Sequence, residues 1–192
     1  MIQFMALLPP VVPSGSLARR RQPRLTVDEL TLRPWQVGDV RHLVAAYQDE
    51  AIRRWHVRSM TDSDALDWIT ARSERWTSET GADWAVVEHG VPLGRVALHR
   101  LDLARGIGKA AYWVRPTARG RQIAPRALDA VSRWFFGKIG LHRIELAHST
   151  ANVPSCRVAA RARFAYEGTK RAEGLHADGW HDMHLHARLR DD

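Results

Sequence analysis

The sequence predicts a single domain of the α/β or α+β class, and three observations point there. The chain has 192 residues, near the ~150 of an ordinary domain and enough to bury a core. Its composition, 45% apolar and 26% charged, is that of a globular protein. From Leu25 onward, alternating apolar segments give way repeatedly to segments of helical period, as strands crossed by helices require.

Residues 1–24 read as a tail. The first twelve are mostly apolar, but Pro9, Pro10 and Pro13 break any helix. The arginines follow this stretch, whereas a secretory signal places them before it. The expectation is a disordered extension or an upstream start, with Met5 another possible start, and a folded domain over 25–192.

Within that domain, residues 30–33 are a short strand candidate. Residues 39–48 fit a helix with Val40, Leu43, Val44 and Tyr47 on one face, and 52–55 a second short helix. Residues 61–64 offer several N-cap oxygens to a helix that spaces Leu66, Ile69, Ser73 and Trp76 on one side. Residues 84–88 and 93–101 then read as a hairpin around His89-Gly90. Gly106 and Gly108 mark a loop, 110–114 a strand stopped by Pro116, and 123–136 a long helix closed by Gly137 and Gly140. Residues 144–148 form another strand. Pro154 suits the first turn of a helix reaching Arg163. Residues 166–171 and 180–189 read as an antiparallel pair.

Composition excludes several classes. No apolar run approaches the ~20 residues of a membrane span. The single Cys156 excludes an intramolecular disulfide and a multi-cysteine zinc site, and fits a reducing, cytoplasmic compartment. The net charge is +8, carried by 26 arginines and three lysines. Half of it sits on Arg19, Arg20, Arg21 and Arg24, ahead of the first acid. Such a balance favours anionic partners. No zinc finger, aromatic RNA-binding motif or basic heptad array accompanies it, so a nucleic-acid role is not the expectation.

The chemistry concentrates in Tyr112 to Ala124, a strand, an arginine-rich turn and a helix start. Unpaired amides and the helix dipole make such a start an anion site. Arg119 and Arg121 add charge, and Gly120 and Ala124 admit a ligand close to the backbone. A plain loop with exposed arginines is the alternative. A second segment bears on the choice. Strand 142–148 is followed by Asn152, Ser155 and a helix leading to Phe164-Ala165-Tyr166-Glu167-Gly168.

In this order and spacing, the chain resembles the GNAT superfamily of acyl-CoA N-acyltransferases, especially the ribosomal-protein N-terminal acetyltransferase branch. The cues are Leu32-Arg33-Pro34, Tyr112-Trp113-Val114, the Arg119–Ala124 loop, Asn152-x-x-Ser155 and Phe164 to Gly168, together spanning residues 25–189. The resemblance implies an α+β fold layered α/β/α. Its mixed, mostly antiparallel sheet has two splayed central strands, here 110–114 and 144–148. It implies acetyl-CoA as co-substrate in that gap, an amine acceptor, and a monomer or homodimer. Trp113 and Val114 would meet the pantetheine arm. Arg119, Gly120, Arg121, Gln122, Ile123 and Ala124 would hold the pyrophosphate. Asn152 would bond the pantetheine amides or merely cap its helix.

Two departures from the family pattern permit a weakened acyl-CoA-binding module as an alternative. Gln122 replaces a loop glycine and would cost roughly 1–2 kcal/mol if the position needs positive φ. Arg163 stands where glycine often closes a helix. The family's tyrosine acid aligns with Ala159, so Ser155 is the replacement acid, or only a first-turn serine. The family's glutamate base aligns with Lys109. His148, then Glu145 on the opposite strand face, are the candidate bases, with a water chain equally open. Cys156 reads as packing. Asp182, His184 and His186 share a strand face suited to zinc, but neighbours two apart need a partner from elsewhere, so no metal is expected. Trp55, Trp68 and Trp76 are either core or acceptor-side aromatics.

Overall fold

The computed structural model describes residues 8–192. Eight strands form one sheet in the order β1-β2-β3-β4-β5-β6-β8-β7. The strands are β1 (Leu25–Val27), β2 (Leu30–Arg33), β3 (Gly81–Glu88), β4 (Val91–Asp102), β5 (Ile107–Val114), β6 (Arg143–Ser149), β7 (Ala165–His176) and β8 (Gly179–Leu189). Among the described residues, only β5 and β6 pair in parallel. The helices are α1 (Val40–Ala46), α2 (Glu50–His56), α3 (Asp62–Thr77), α4 (Ile123–Trp134) and α5 (Val153–Arg161). This is the α+β, mostly antiparallel arrangement that the sequence predicts.

Alternation along β3 divides the interior in two. Ala82, Trp84 and Val86 face a core shared with Ile123, Leu128 and Val131 of α4 and Ala159 of α5. Ala85 and Val87 face a second core with Leu43 of α1 and Trp68 and Ile69 of α3. Period-two strands buried on both faces therefore need helices on both sides. The Thr61 hydroxyl accepts from the Asp64 amide and opens α3 as the N-cap oxygens predict. Helix α4 runs on through a π-helical turn, Phe135–Ile139, and stops at Gly140 with φ 88°.

The tail expectation is corrected for residues 8–24; residues 1–7 lie outside the described residues. Val12 and Leu17 are buried in the α4-side core. The amides of Val11 and Val12 donate to the carbonyls of Ala104 and Leu103, at 2.9 and 3.0 Å. The Glu79 carboxylate accepts from the amides of Gly15 and Leu17, both at 2.7 Å. The indole N–H groups of Trp76 and Trp84 donate to the carbonyls of Arg20 and Pro23. The prolines do prevent a helix. The segment is instead an irregular strap whose polar backbone is satisfied by the domain beneath it.

Candidate active site

The parallel ladder between β5 and β6 ends at Ala110 opposite Leu146. Both strands continue, to Val114 and Ser149, without pairing to each other. They splay, and the gap opens into a cleft of about 320 Å³. Tyr112, Trp113 and Val114 line one arm; Asn152, Pro154 and Ser155 line the other. Most of the predicted cofactor contacts therefore converge: Trp113, Val114, Arg119, Gly120, Gln122, Ile123, Ala124, Asn152 and Ser155 all border this one cleft. Arg121 stands beside it, paired with Glu88.

At one end of the cleft α4 begins. Gln122 is its N-cap, with φ 55° and ψ 23°, and its side chain caps nothing. Among the described residues, the amides of Arg121, Gln122, Ile123 and Ala124 find no protein acceptor. Gln122 thus holds the left-handed conformation that a glycine would take, and the strained turn aims free N–H groups outward. Arg119 is held beside it by the carbonyl of Val114 at 3.2 Å and by Asp49 at 2.6 Å. Unpaired amides, the helix dipole and two guanidinium groups fit a pyrophosphate-bearing ligand.

In the middle of the cleft the Tyr112 hydroxyl lies 2.8 Å from the Ser155 hydroxyl. Burial pushes the Tyr112 phenol up to about 12, so it keeps its proton. Ala159, the position matched to the family's tyrosine, is instead fully buried in the core. A phenol reaches this region from β5 rather than from α5. Asn152 makes no side-chain cap, which leaves its amide free toward the cleft.

His56, which sequence reasoning missed, also lines the cleft. Its Nε2 lies 3.1 Å from the Tyr112 carbonyl, which can only accept, so the ring donates from Nε2 and leaves Nδ1 as acceptor. Burial, aided by Arg95, pushes its pKa down to about 4 and keeps it neutral. No period or motif marks His56. Only the turn of α2 onto β5 brings it here.

Two sequence-predicted bases do not join the cleft. Glu145 lies on the opposite sheet face, with Arg143 at 3.0 Å and Lys109 at 3.8 Å. His148 is buried on the α5 side, with Nδ1 2.8 Å from the Ser149 carbonyl and Nε2 3.2 Å from Nε2 of His186. Cys156 is half-buried against His184 and His186 rather than sealed in the core. Asp182 leaves that group and accepts from the Ala172 amide. Of the tryptophans, Trp68 and Trp76 are core, while Trp55 borders the cleft.

The sequence matches the family described as the acetyltransferase (GNAT) domain over residues 29–165. The chain belongs to the GNAT acetyltransferase family. No curated protein matches the sequence. Solved GNAT structures share the fold. The ribosomal-protein-S5-alanine acetyltransferase from Vibrio fischeri superposes with a TM-score of 0.80 at 19% identity, covering 89% of this chain and 98% of that one. RimJ from Mycobacterium smegmatis, solved with a CoA-disulfide, gives 0.78 at 21% identity, covering 88% and 87%. The microcin C7 self-immunity acetyltransferase MccE, solved with acetyl-CoA and AMP, gives 0.77 at 18% identity, covering 84% and 93%. This GNAT protein is an acetyl-CoA-dependent acyltransferase. Among its described residues, no helix is long and apolar enough to cross a membrane.

Proposed function

We propose that this protein is an N-acetyltransferase that acts by direct attack of a primary amine within a ternary complex, with a protein or peptide α-amine as the acceptor. The Tyr112–Ser155 hydrogen bond across the splayed arms carries this reading. Acetyl-CoA supplies the activated acetyl thioester. Ser155 Oγ hands a proton to the departing sulfur and takes one from Tyr112 Oη, whose high pKa keeps it protonated at rest; the phenol regains its proton, through water, from the amine that loses one on forming the amide. Asn152 and the α4 amides bind and orient the nucleotide-bearing ligand, and its confinement supplies part of the rate.

The weakness of the base selects the acceptor. Neither His148 nor Glu145 lines the cleft, and His56, with its pKa near 4, holds a proton only in passing at neutral pH. An α-amine, with a pKa of about 8, loses its proton at pH 7 for roughly 1 kcal/mol, whereas a lysine-type amine costs roughly 5 kcal/mol. A site with so weak a base therefore suits α-amines. One structural neighbour, named as a ribosomal-protein-S5-alanine acetyltransferase, lends support. The single cysteine supports a reducing, cytoplasmic setting.

The test is CoA-thiol release with peptides bearing a free α-amine, the same peptides α-blocked with one lysine, and a polyamine. Turnover confined to the free α-amine peptides is expected. Turnover of the blocked lysine peptides or the polyamine alone would reject the acceptor class. Acetyl-CoA hydrolysis without product in any arm would reject amine transfer.

A further inference from the structure

Away from the cleft, four side chains from three elements converge under α5. His148 comes from β6, His184 and His186 from β8, and Cys156 from α5. Antiparallel pairing sets His148 opposite His184 and Leu146 opposite His186, so the three rings share one sheet face. Helix α5 then brings Cys156 onto that face. Strand neighbours two apart lacked a partner in the sequence; β6 and α5 provide two.

We propose that His148, Cys156, His184 and His186 bind one borderline-soft divalent transition-metal ion, Zn(II) by preference, in a closed tetrahedral site. Ideal bonds of about 2.0–2.1 Å to nitrogen and about 2.3 Å to sulfur imply tetrahedral edges of about 3.3 Å between nitrogens and about 3.6 Å from sulfur to nitrogen. The His148 and His186 Nε2 atoms lie 3.2 Å apart. Cys156 Sγ lies 3.6 Å from His184 Nδ1 and 3.7 Å from His186 Nε2. No ligand atom is more than 4.8 Å from another.

The surroundings match the same purpose. His148 Nδ1, as donor to the Ser149 carbonyl, fixes the tautomer whose bare Nε2 points into the group, the usual outer contact of a metal-bound histidine. A set of three imidazoles and one thiolate selects zinc, cobalt or copper over magnesium and calcium. Four protein ligands leave no open position, so the ion is structural. It would staple α5 to β6 and β8 one residue after Ser155 and so position that residue. The site stands on its own geometry, independent of the acceptor reading.

The experiment uses the full chain without a polyhistidine tag, stripped by chelator, kept reduced, and titrated with Co(II) alone. Saturation at one Co(II) per chain is expected, with intense tetrahedral visible bands and a thiolate-to-cobalt charge-transfer band that Zn(II) abolishes. The chain has one cysteine, so that charge-transfer band reports Cys156 even if a variant fails to fold. Cys156→Ser should lose the band, and both it and His184→Asn should weaken binding at least about tenfold. Asp182→Asn, on the same strand but outside the group, should bind Co(II) as the parent does. No saturable band at millimolar Co(II) in the folded parent, an octahedral spectrum, or unchanged binding in folded Cys156→Ser and His184→Asn would overturn the site. Thiol release is scored separately, so losing the metal reading leaves the acetyl-transfer test intact.

Discussion

Tyr112 on β5 and Ser155 on α5 share a 2.8 Å hydrogen bond that joins the two arms of the splayed sheet. Both hydroxyls belong to one proton path if Ser155 is the acid. Ser155→Ala should lower kcat about a hundredfold, the ordinary scale of acid catalysis, with acetyl-CoA affinity nearly unchanged. Tyr112→Phe should lower kcat less, because water can resupply Ser155. Steady-state thiol release and calorimetric titration separate the two effects. A Ser155→Ala variant with parental kcat would remove the serine from the mechanism.

Arg163 sits at φ 63° just beyond α5, and its side chain is exposed. A glycine takes that conformation without the Cβ clash, at some cost in unfolded-chain entropy. Arg163→Gly should therefore stabilise the chain by up to about 1 kcal/mol, or about 2–4 °C in Tm. Thermal melting checks this, and a fall in Tm would show that the Arg163 side chain holds something besides the turn.

Glu88 holds Arg121 through both guanidinium nitrogens beside the expected pyrophosphate position. The pair is solvent-exposed, so breaking it costs little stability. Glu88→Gln removes a negative charge from an anion site and frees the arginine. Acetyl-CoA should bind about twofold to fivefold more tightly, with the gain shrinking as salt is added. Calorimetry at two ionic strengths decides, and weaker binding would mean that Glu88 orients Arg121 toward the ligand.

His56 and His99 are both pushed down to about 4, first by burial and then by Arg95. Unfolding restores ordinary values near 6.5, so between about pH 6.5 and 4 the unfolded chain binds more protons. Stability is then full above pH 6.5 and declines as pH falls toward 4, by an order of about 3 kcal/mol per histidine at most. Urea unfolding across that range measures the slope. His56→Gln should flatten it, and an unchanged slope would place the acid sensitivity elsewhere.

The Glu79 carboxylate accepts amide hydrogens from Gly15, Leu17 and Ala18. Burial alone would raise its pKa, but these three donors outweigh it and hold it low. Glu79→Ala should cost about 1.5–3 kcal/mol and release the strap. Limited proteolysis should then cut within residues 8–24 before the domain unfolds. Parental resistance would mean that Val12 and Leu17 hold the strap unaided.

Local chemistry made much of this molecule readable from its sequence. The stretch 123–136 closed by Gly137 and Gly140 declared α4, Thr61 declared the start of α3, and Asn152 to Ser155 declared the start of α5. The anion loop was legible because a helix N-terminus flanked by arginines has the same physics in any fold. Folding decided the rest, because distances between elements are not written in any single period. Proline-rich residues 8–24 look free until Glu79, Trp76 and Trp84 supply partners more than fifty residues away. His56 enters the cleft only through the packing of α2 on β5, and His148 leaves it because β6 turns that face toward β8. His184 and His186 already share a strand face in the sequence, but only the pairing of β6 with β8 and the packing of α5 bring His148 and Cys156 to them.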